Sequence, residues 1–351
     1  MESSARRRDE HALTPRQIYR RLDKYVIGQE EAKRAVAIAA YNHLKRVEAR
    51  RAGKAVLLKK SNLLLIGPTG CGKTHLARQL AATLSVPFTA VDATEYTEAG
   101  YYGKDVEMMV AELLLRAEQK VEEAQRGIIF IDEVDKIARR SQTARNGAGS
   151  RDIGGEGVQQ ALLKLLEGRE VYVPQSVASP WAKGDFVAVD TTEVLFICAG
   201  AYSDLLGYGG EDDKRPVGFG AAEVAHRPKP VSHKMLVDYG MLPEFLGRLP
   251  VTVQLQRLTE EELLRVLTEP PDAITREYAQ LLALDGIDLE LSPGAMERVV
   301  RFASMRGLGA RGLRAVLEQV MREVMFDAPE RRKRRVRITR AFVDRRLAHV
   351  D

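Results

Sequence analysis

The sequence predicts an α/β protein: a large domain built on a parallel sheet, followed by a smaller, mostly helical C-terminal domain. Apolar runs at 63–66, 128–131 and 194–198, the last within a strand predicted over 193–198, lack alternation, as strands buried on both faces do. Segments of helical periodicity separate these runs, as in a sheet with helical crossovers. Beyond residue 259 the pattern is mostly helical. We place the domain boundary near residue 255, which gives a disordered tail at 1–12, a large domain at 13–255 and a small domain at 256–351.

The elements of the large domain follow from local signals. Thr14-Pro15 predicts a helix start, because a cap residue precedes proline at the first helical position. Helical spacing of apolar residues then predicts helices at 30–50, 75–84, 105–125 and 158–167. The buried run at 128–131 belongs to a strand predicted over 127–133. We expect further strands at 87–92, 171–174, 186–189 and 251–255, the last half-buried because its apolar residues alternate. Segments 95–103, 139–157 and 203–234 are predicted to be loops or flexible stretches.

In the small domain, Thr259 and Glu262 predict a capped helix start. Apolar periodicity predicts helices at 260–268, 271–284, 293–305 and 310–326, then a strand at 336–338 and a last helix at 340–348.

The first buried run leads into the glycine-rich sequence Gly67-Pro68-Thr69-Gly70-Cys71-Gly72-Lys73-Thr74, and a helical stretch follows from His75. The pattern G-x-x-x-x-G-K-[ST] between a strand and a helix predicts a phosphate-binding loop. Inward backbone N–H groups and the helix N-terminus favour phosphate there. We expect residues from Gly67 to His75 to bind ATP, with Lys73 on the β- and γ-phosphates and Thr74 on Mg²⁺.

A second nucleotide-site signal is an apolar strand that ends in two carboxylates, Asp132 and Glu133. Open α/β sheets bind ligands at the carboxyl ends of their strands, where both signals would meet. We expect Asp132 to contribute to the Mg²⁺ site and Glu133 to act as the general base toward water.

Composition excludes several classes of protein. No apolar run reaches the ~18 residues of a membrane span, and the polar, arginine-rich start is not a secretory signal. Cys71 and Cys198 form no disulfide or zinc pattern, so we expect the protein to be located in a reducing cytoplasm.

The net charge of the chain is +5. The basic runs at 6–8 and 331–335 could contact nucleic acid, but they lack interleaved aromatic residues, which favours solvated tails or turns.

Nearly the whole chain, from about Leu13 to Val343, resembles the ClpX family of AAA+ unfoldases, which feed proteins to the ClpP peptidase. The phosphate loop is shared by many NTPases, so the resemblance rests on more specific stretches: Tyr25-Val26-Ile27-Gly28-Gln29, Asp92-Ala93-Thr94 with Thr97-Glu98-Ala99-Gly100-Tyr101, 155–164, Pro243-Glu244-Phe245 with Arg248-Leu249-Pro250, and 309–314.

The resemblance implies roles for single residues. Val26 and Ile27 would flank the adenine, and Arg311 would be the sensor arginine that reaches the nucleotide of its own subunit. Arg248 would be the arginine finger that reaches the neighbour's γ-phosphate, so that activity depends on a homohexamer. Spacing alone favours a solvated surface position for both arginines, and it is the resemblance that reverses this.

The resemblance also implies contacts with proteins. Tyr101 and Tyr102 match the pore loop that grips substrate, and Arg151 and Asp152 match the second pore loop. The tripeptide Val217-Gly218-Phe219 resembles the segment that docks onto ClpP. ATP and Mg²⁺ are the implied cofactors, without zinc, and protein substrates are the implied partners.

The sequence departs from the family pattern away from the ATP site. It has no four-cysteine zinc domain, whether by nature or by truncation. Tyr102 replaces the usual valine, and Lys104 replaces an acidic residue. The basic triplet of the family's pore-entrance loop is missing near 179–183. These differences argue against recognition of acidic C-terminal tags, and we expect different substrates.

Three other functions remain open. One is a nucleic-acid motor or clamp loader, against which the aromatic pore loop argues. Another is the related HslU unfoldase, although the chain leaves no room for its long inserted domain. The last is a free-standing chaperone that binds no ClpP.

Overall fold

The structure is a computed structural model that describes residues 13–54, 57, 59–97, 104–139, 155–174, 186–207, 230–330 and 335–348. The chain divides into two compact units. The first comprises Met1–Leu22, Glu30–Pro68 and Lys73–Leu255, and the second comprises Asp23–Gln29, Thr69–Gly72 and Gln256–Asp351. This division follows contacts between residues, and the functional domain limits 13–255 and 256–351 stay a prediction. None of the helices within the described ranges is both long and apolar enough to cross a membrane.

The first unit is built on a parallel sheet. Its strands in chain order are β1 (Leu63–Ile66), β2 (Phe88–Asp92), β3 (Tyr96–Thr97), β4 (Lys104–Asp105), β5 (Ile128–Asp132), β6 (Glu170–Pro174), β7 (Phe186–Asp190), β8 (Leu195–Gly200) and β9 (Val251–Gln254). Five of them pair in the order β2-β5-β8-β1-β9, all parallel. The apolar runs of β1, β5 and β8 are buried, as in a sheet covered on both faces. The predicted α/β class is therefore confirmed.

Helices flank this sheet in the first unit: α1 (Pro15–Asp23), α2 (Glu30–Arg51), α3 (Lys73–Leu84), α4 (Met108–Arg116), α5 (Val121–Ala124), α6 (Gly155–Glu167), α7 (Ser203–Leu206), α8 (His233–Tyr239) and α9 (Pro243–Gly247). The predicted start of α1 has a physical cap. The Gln17 N–H donates to Thr14 Oγ1 at 3.3 Å, and the Thr14 N–H donates to Gln17 Oε1 at 2.8 Å.

The single helix predicted over 105–125 is wrong, because the chain forms α4 and α5 with a break between them. Glu118 and Gln119 take left-handed φ angles of 54° and 65°, and the Gln119 N–H closes the turn on the Leu114 carbonyl at 3.0 Å. Ala117 and Ala124 are buried on either side of the break. Apolar spacing therefore continues through the break, so the sequence pattern hides it.

Helix α6 begins at Gly155, before the predicted start at 158. A Cβ at Gly155 would lie 2.8 Å from the Ile137 carbonyl oxygen, so glycine allows a close approach of two backbone segments. Gln159, in the first turns of α6, donates to the same carbonyl at 2.7 Å. These contacts hold the start of α6 against the segment that follows β5.

The second unit is mostly helical, as predicted. It contains α10 (Glu260–Thr268), α11 (Ile274–Leu284), α12 (Pro293–Met305), α13 (Gly309–Asp327) and α14 (Arg340–Leu347), with a two-stranded parallel sheet of β10 (Asp288–Leu291) and β11 (Arg335–Ile338). Thr259 and Glu262 form the predicted capping box. Strand β10 was not predicted, because its alternation of acidic and apolar residues is short. It forms by pairing with the distant strand β11, where Arg335 lies 2.9 Å from Glu290.

Candidate nucleotide site

The phosphate loop connects β1 to α3. Gly70 and Gly72 take φ angles of +78° and +99°, which side-chain-bearing residues rarely adopt, so the glycines of the motif are needed for this backbone path. Lys73 is buried, and its ammonium donates to the carbonyl oxygens of Gly67 at 2.6 Å and Pro68 at 3.1 Å. The loop thus carries a buried cation held by its own backbone.

The hydroxyl of Thr74 lies beside the carboxylate of Asp132. Thr74 Oγ1 donates to Asp132 Oδ2 at 3.3 Å, although β8 lies between β1 and β5 in the sheet. The other carboxylate oxygen, Oδ1, accepts from the Glu133 N–H at 3.0 Å. A hydroxyl and a carboxylate oxygen at this separation are ligands that Mg²⁺ prefers, so the donor set fits the predicted ion.

Mg²⁺ would need further ligands besides these two. In the described part of the chain, no group of three or more His, Cys, Asp or Glu side chains is arranged to hold a metal ion. Because Mg²⁺ is commonly bound through one or two protein oxygens together with substrate phosphates and water, this arrangement suits an ion that arrives with ATP.

Glu133 follows β5 in a strained backbone conformation. Its φ of 58° is left-handed, a conformation that costs a non-glycine residue on the order of 1 kcal/mol and is common at functional sites. Its side chain is exposed. Even so, the carboxyl is partly shielded from water. This partial burial, together with the negative charges of Asp92, Asp132 and Asp135, raises the pKa of the Glu133 carboxyl. A raised pKa makes this carboxylate a stronger proton acceptor.

Two carboxylates that the sequence analysis did not assign complete this edge of the sheet. Asp92 ends β2 directly opposite Asp132 and caps the following turn through Thr94. Asp135 is buried, and its Oδ1 accepts from the Ala201 N–H at 3.1 Å, just beyond β8. The signals were available: Asp92 ends a predicted strand, and Asp135 lies three residues after Asp132.

Arg248 lies elsewhere in the first unit. It precedes β9, at the amino edge of the sheet, whereas Lys73, Thr74 and Asp132 lie at the carboxyl edge. Its carbonyl accepts from Asn62 Nδ2 at 3.1 Å, and its guanidinium is 2.5 Å from Glu167 Oε1. The structure therefore does not bring Arg248 to the phosphate loop of its own chain.

The second unit holds the tip of the phosphate loop, 69–72, together with the segment 23–29 and α13. Val26 and Ile27 are buried. Gln29 Nε2 donates to the carbonyls of Cys71 at 3.4 Å and Gln256 at 2.8 Å, and the Gln256 N–H donates back to Gln29 Oε1 at 3.0 Å. Gln29, which sequence reasoning did not place in the site, therefore connects the loop tip with two other segments of this unit.

Arg311 lies in the first turn of α13. The preceding residue, Ala310, donates its N–H to the Gly70 carbonyl at 3.1 Å, so Arg311 follows a residue that contacts the loop tip. The Arg311 side chain is exposed. The remaining predicted residues lie outside the described part of the chain: Tyr101, Tyr102, Arg151, Asp152, Val217, Gly218 and Phe219.

Comparison with known proteins identifies relatives over nearly the whole chain. Residues 58–252 match the family described as AAA domain (Cdc48 subfamily), and residues 258–339 match the C-terminal, D2-small domain of ClpB protein. The chain is 44% identical over 334 residues to the ATP-dependent Clp protease ATP-binding subunit ClpX 2 of Wolinella succinogenes, covering 95% of this chain and 82% of that protein. It is 43% identical over 331 residues to ClpX of Treponema denticola, covering 90% and 77%.

Proposed function

The chain belongs to the ClpX family of AAA ATPases, and we propose that it hydrolyses ATP to unfold proteins, as a homohexamer that feeds unfolded chains to a ClpP peptidase. The observation that carries the proposal is the convergence of Lys73, Thr74, Asp132 and Glu133 at the carboxyl ends of β1 and β5. The relatives' names, which call them ATP-binding subunits of Clp protease, support the choice of partner.

In the proposed mechanism, Lys73 would exchange its loop carbonyls for the β- and γ-phosphates of ATP. Its ammonium is already at the loop, so binding replaces backbone acceptors with charged ones and strengthens the hydrogen bonds. Thr74 and Asp132 would hold Mg²⁺, which supplies neutralisation of the phosphate charge. Zinc has no role in the proposed mechanism.

Glu133 is proposed as the base that orients and deprotonates the attacking water. Its exposure leaves the carboxylate accessible to a water molecule, and its raised pKa favours proton acceptance. Asp132 fixes the Glu133 backbone through the N–H contact at 3.0 Å. Asp92 and Asp135 contribute negative charge that raises the proton affinity of the base.

Arg248 is proposed as the finger for the neighbouring subunit. Its place at the amino edge of the sheet and its exposed side chain suit action between subunits rather than within one. Arg311 is proposed as the sensor arginine and Val26 with Ile27 as the adenine contacts. The Ala310–Gly70 hydrogen bond and the Gln29 contacts support these roles, because they connect the same segments to the loop tip.

The protein contacts rest on the family resemblance. We propose that Tyr101 and Tyr102 grip substrate, that Arg151 and Asp152 form a second pore loop, and that Val217-Gly218-Phe219 docks onto ClpP. A cytoplasmic location is also a proposal. Cys71 and Cys198 are both buried and neither forms a disulfide, as expected in a reducing compartment.

The test combines the purified protein with ATP, ClpP and a fluorescent protein that carries different terminal tags. Loss of fluorescence that needs both ATP and ClpP would support the proposal. Loss that needs ATP but not ClpP, measured with a trap for unfolded chains, would replace it with a free-standing chaperone. ATP turnover without loss for any tag, together with salt-sensitive DNA binding, would favour a nucleic-acid motor.

A further inference from the structure

The hairpin of β6 and β7 presents an aromatic face to solvent. Its strands pair antiparallel, with Tyr172 opposite Ala188 and Pro174 opposite Phe186. Tyr172 and Phe186 therefore lie on the same face as diagonal neighbours, and their exposed fractions are 65% and 60%. The opposite face packs into the core through buried valines. An aromatic pair left exposed on a well-packed hairpin is typical of a contact surface.

A cavity of about 510 Å³ lies beside Glu170 and Tyr172 of the hairpin. Its lining includes three carboxylates and one guanidinium: Asp105, Glu107, Arg169, Glu170, Val171 and Tyr172. The guanidinium is already engaged, since Arg169 Nη2 is 2.6 Å from Glu107 Oε1. The cavity is therefore locally negative, although the chain as a whole has a net charge of +5.

The ring of Tyr172 stands beside this negative charge. Its hydroxyl donates to Glu170 Oε1 at 3.0 Å, which holds the ring and the carboxylate together. An aromatic face attracts an ammonium or guanidinium, and adjacent carboxylates strengthen that attraction. Phe186 adds an apolar surface for the aliphatic part of a lysine or arginine side chain.

Two elements that line the cavity are next in sequence to segments that the proposed function or the family resemblance assigns to substrate. Asp105 belongs to β4 and pairs with Thr97 of β3. The chain between these two strands includes Tyr101 and Tyr102 of the proposed pore loop. The hairpin itself flanks residues 175–185, where the family's basic entrance loop would fall. Both sides of the cavity are thus continuous with chain segments expected to meet an incoming polypeptide.

We propose that this surface binds a lysine- or arginine-rich extended segment of the protein substrate and so selects for cationic tags. The proposal rests on the proposed unfoldase function and deepens it. A lysine or arginine would lie over Tyr172 with its charge toward Asp105 and Glu170, and its stem would contact Phe186. Acidic segments would be repelled by the same carboxylates, which gives selection between tags as well as affinity.

The test measures binding of a short fluorescent lysine-glycine peptide and its glutamate-glycine counterpart by anisotropy, on the full chain with a slowly hydrolysed ATP analogue. We expect the lysine peptide alone to bind, and added salt to weaken it. Tyr172→Ala should weaken it about three- to fivefold, while Tyr172→Phe retains binding. The Asp105→Asn/Glu170→Gln pair should weaken it about tenfold, against a control pair of exposed α2 residues, Glu31→Gln/Glu48→Gln.

Arg169→Gln provides a variant that should gain affinity. Removing the guanidinium frees Glu107 and makes the cavity more negative, so we expect about threefold tighter binding of the lysine peptide. A misfolded surface could not produce this gain. Equal binding of both peptides, weaker binding by Arg169→Gln, or no effect of Tyr172→Ala would overturn the proposal.

Unfolding assays separate this inference from the function on which it rests. If fluorescent proteins with lysine-rich and glutamate-rich tails are unfolded equally well with ATP, the tag selection is wrong and the unfoldase function stands. If neither is unfolded while the lysine peptide still binds, the unfoldase function is wrong and the cation-binding surface stands.

Discussion

At the carboxyl ends of the parallel strands, four carboxylates gather, whereas at the amino ends basic side chains gather around Glu193. Among the described residues, the carboxyl edge carries Asp92, Asp132, Glu133 and Asp135, with Lys136 3.7 Å from Asp135, and the phosphate loop holds Lys73 at the same edge. Glu133 is exposed and therefore accessible to water, and Lys73 donates to loop carbonyls that a phosphate can replace.

The amino edge is arranged differently. Glu193 lies 3.5 Å from Arg46 and 3.1 Å from Arg50, and Lys60 donates to the Thr191 carbonyl at 2.9 Å. Burial, and to a smaller extent the charges of Arg46 and Lys60, lowers the pKa of His43 to about 3. Burial, followed by the charge of Arg46, lowers the pKa of Lys60 to about 7.

The difference shows how the two edges divide their tasks. Positive charges at the amino edge are paired or pushed toward their neutral forms, as expected for groups that hold a fold together. At the carboxyl edge, the neighbouring carboxylates help to raise the pKa of Glu133, the proposed base. A raised pKa of this kind is expected for a catalytic group. Arg248 is an exception by its proposed role: it is paired with Glu167 and half exposed, as Arg50 is with Glu193, but it is proposed to act on the nucleotide of a neighbouring subunit.

Replacing Arg248 tests this exception and should give the largest effect. Arg248→Ala keeps the backbone carbonyl that Asn62 holds, so the fold should persist. If the guanidinium acts as a finger, ATP turnover should fall about 10³–10⁵-fold with ATP binding retained. Steady-state ATPase and nucleotide-binding assays measure both quantities, and Arg276→Ala, an exposed arginine of α11, serves as the control.

Mixed hexamers show whether Arg248 acts between subunits. An Arg248→Ala subunit has its own Glu133, and a Glu133→Gln subunit can still supply Arg248 to its neighbour. Mixing the two inactive variants should therefore restore part of the turnover. A mixture as inactive as its components would contradict action between subunits.

Replacing Glu133 tests the carboxyl edge. Glu133→Gln should lower turnover about 10²–10⁴-fold, because the amide cannot accept the proton from water. ATP affinity should stay near that of the unmodified protein, since Lys73 and Thr74 are unchanged. Single-turnover hydrolysis and nucleotide binding separate these effects, with Glu48→Gln on α2 as the matched control. Normal turnover would remove the base role from this residue.

The sequence predicted the carboxyl edge better than the amino edge, for a physical reason. Phosphate chemistry fixes residue types at close spacing along the chain, so the loop from Gly67 and the pair at Asp132 are readable as motifs. The contacts of Asn62 and Lys60 join residues more than a hundred positions apart, and no local pattern marks them. The sequence analysis also missed the break after α4, because the apolar spacing continues through Ala117 and Ala124.

Asn62 connects three elements at the amino edge and is fully buried. Its Nδ2 donates to the carbonyls of Leu166 at 3.3 Å and Arg248 at 3.1 Å, and its Oδ1 accepts from the Phe196 N–H at 3.2 Å. Asn62→Ala leaves these backbone groups without that partner, and should lower the free energy of unfolding by about 2–4 kcal/mol. Urea denaturation measures the loss, and Asn42→Ala on α2, a half-buried asparagine, is the control. An equal loss in both variants would contradict the role of Asn62.

Lys60 should give the smallest effect, and one that depends on pH. Its ammonium lies 4.5 Å from the Phe196 ring centroid, and its pKa falls from 10.5 to about 7 in the folded state. Between these two values the unfolded chain binds more protons than the folded one, so stability rises with pH across this window. Below pH 7 the charged lysine destabilises the fold most.

Lys60→Met should therefore stabilise the protein below pH 7 by about 1 kcal/mol, and this gain should disappear as the pH approaches 10.5. The Thr191 carbonyl keeps a partner in the variant, the Val194 N–H at 3.1 Å. Urea denaturation across this pH range measures the difference, with the exposed neighbour Lys59→Met as the control. A gain that is constant with pH would mean that added apolar packing, rather than relief of a confined charge, stabilises the amino edge.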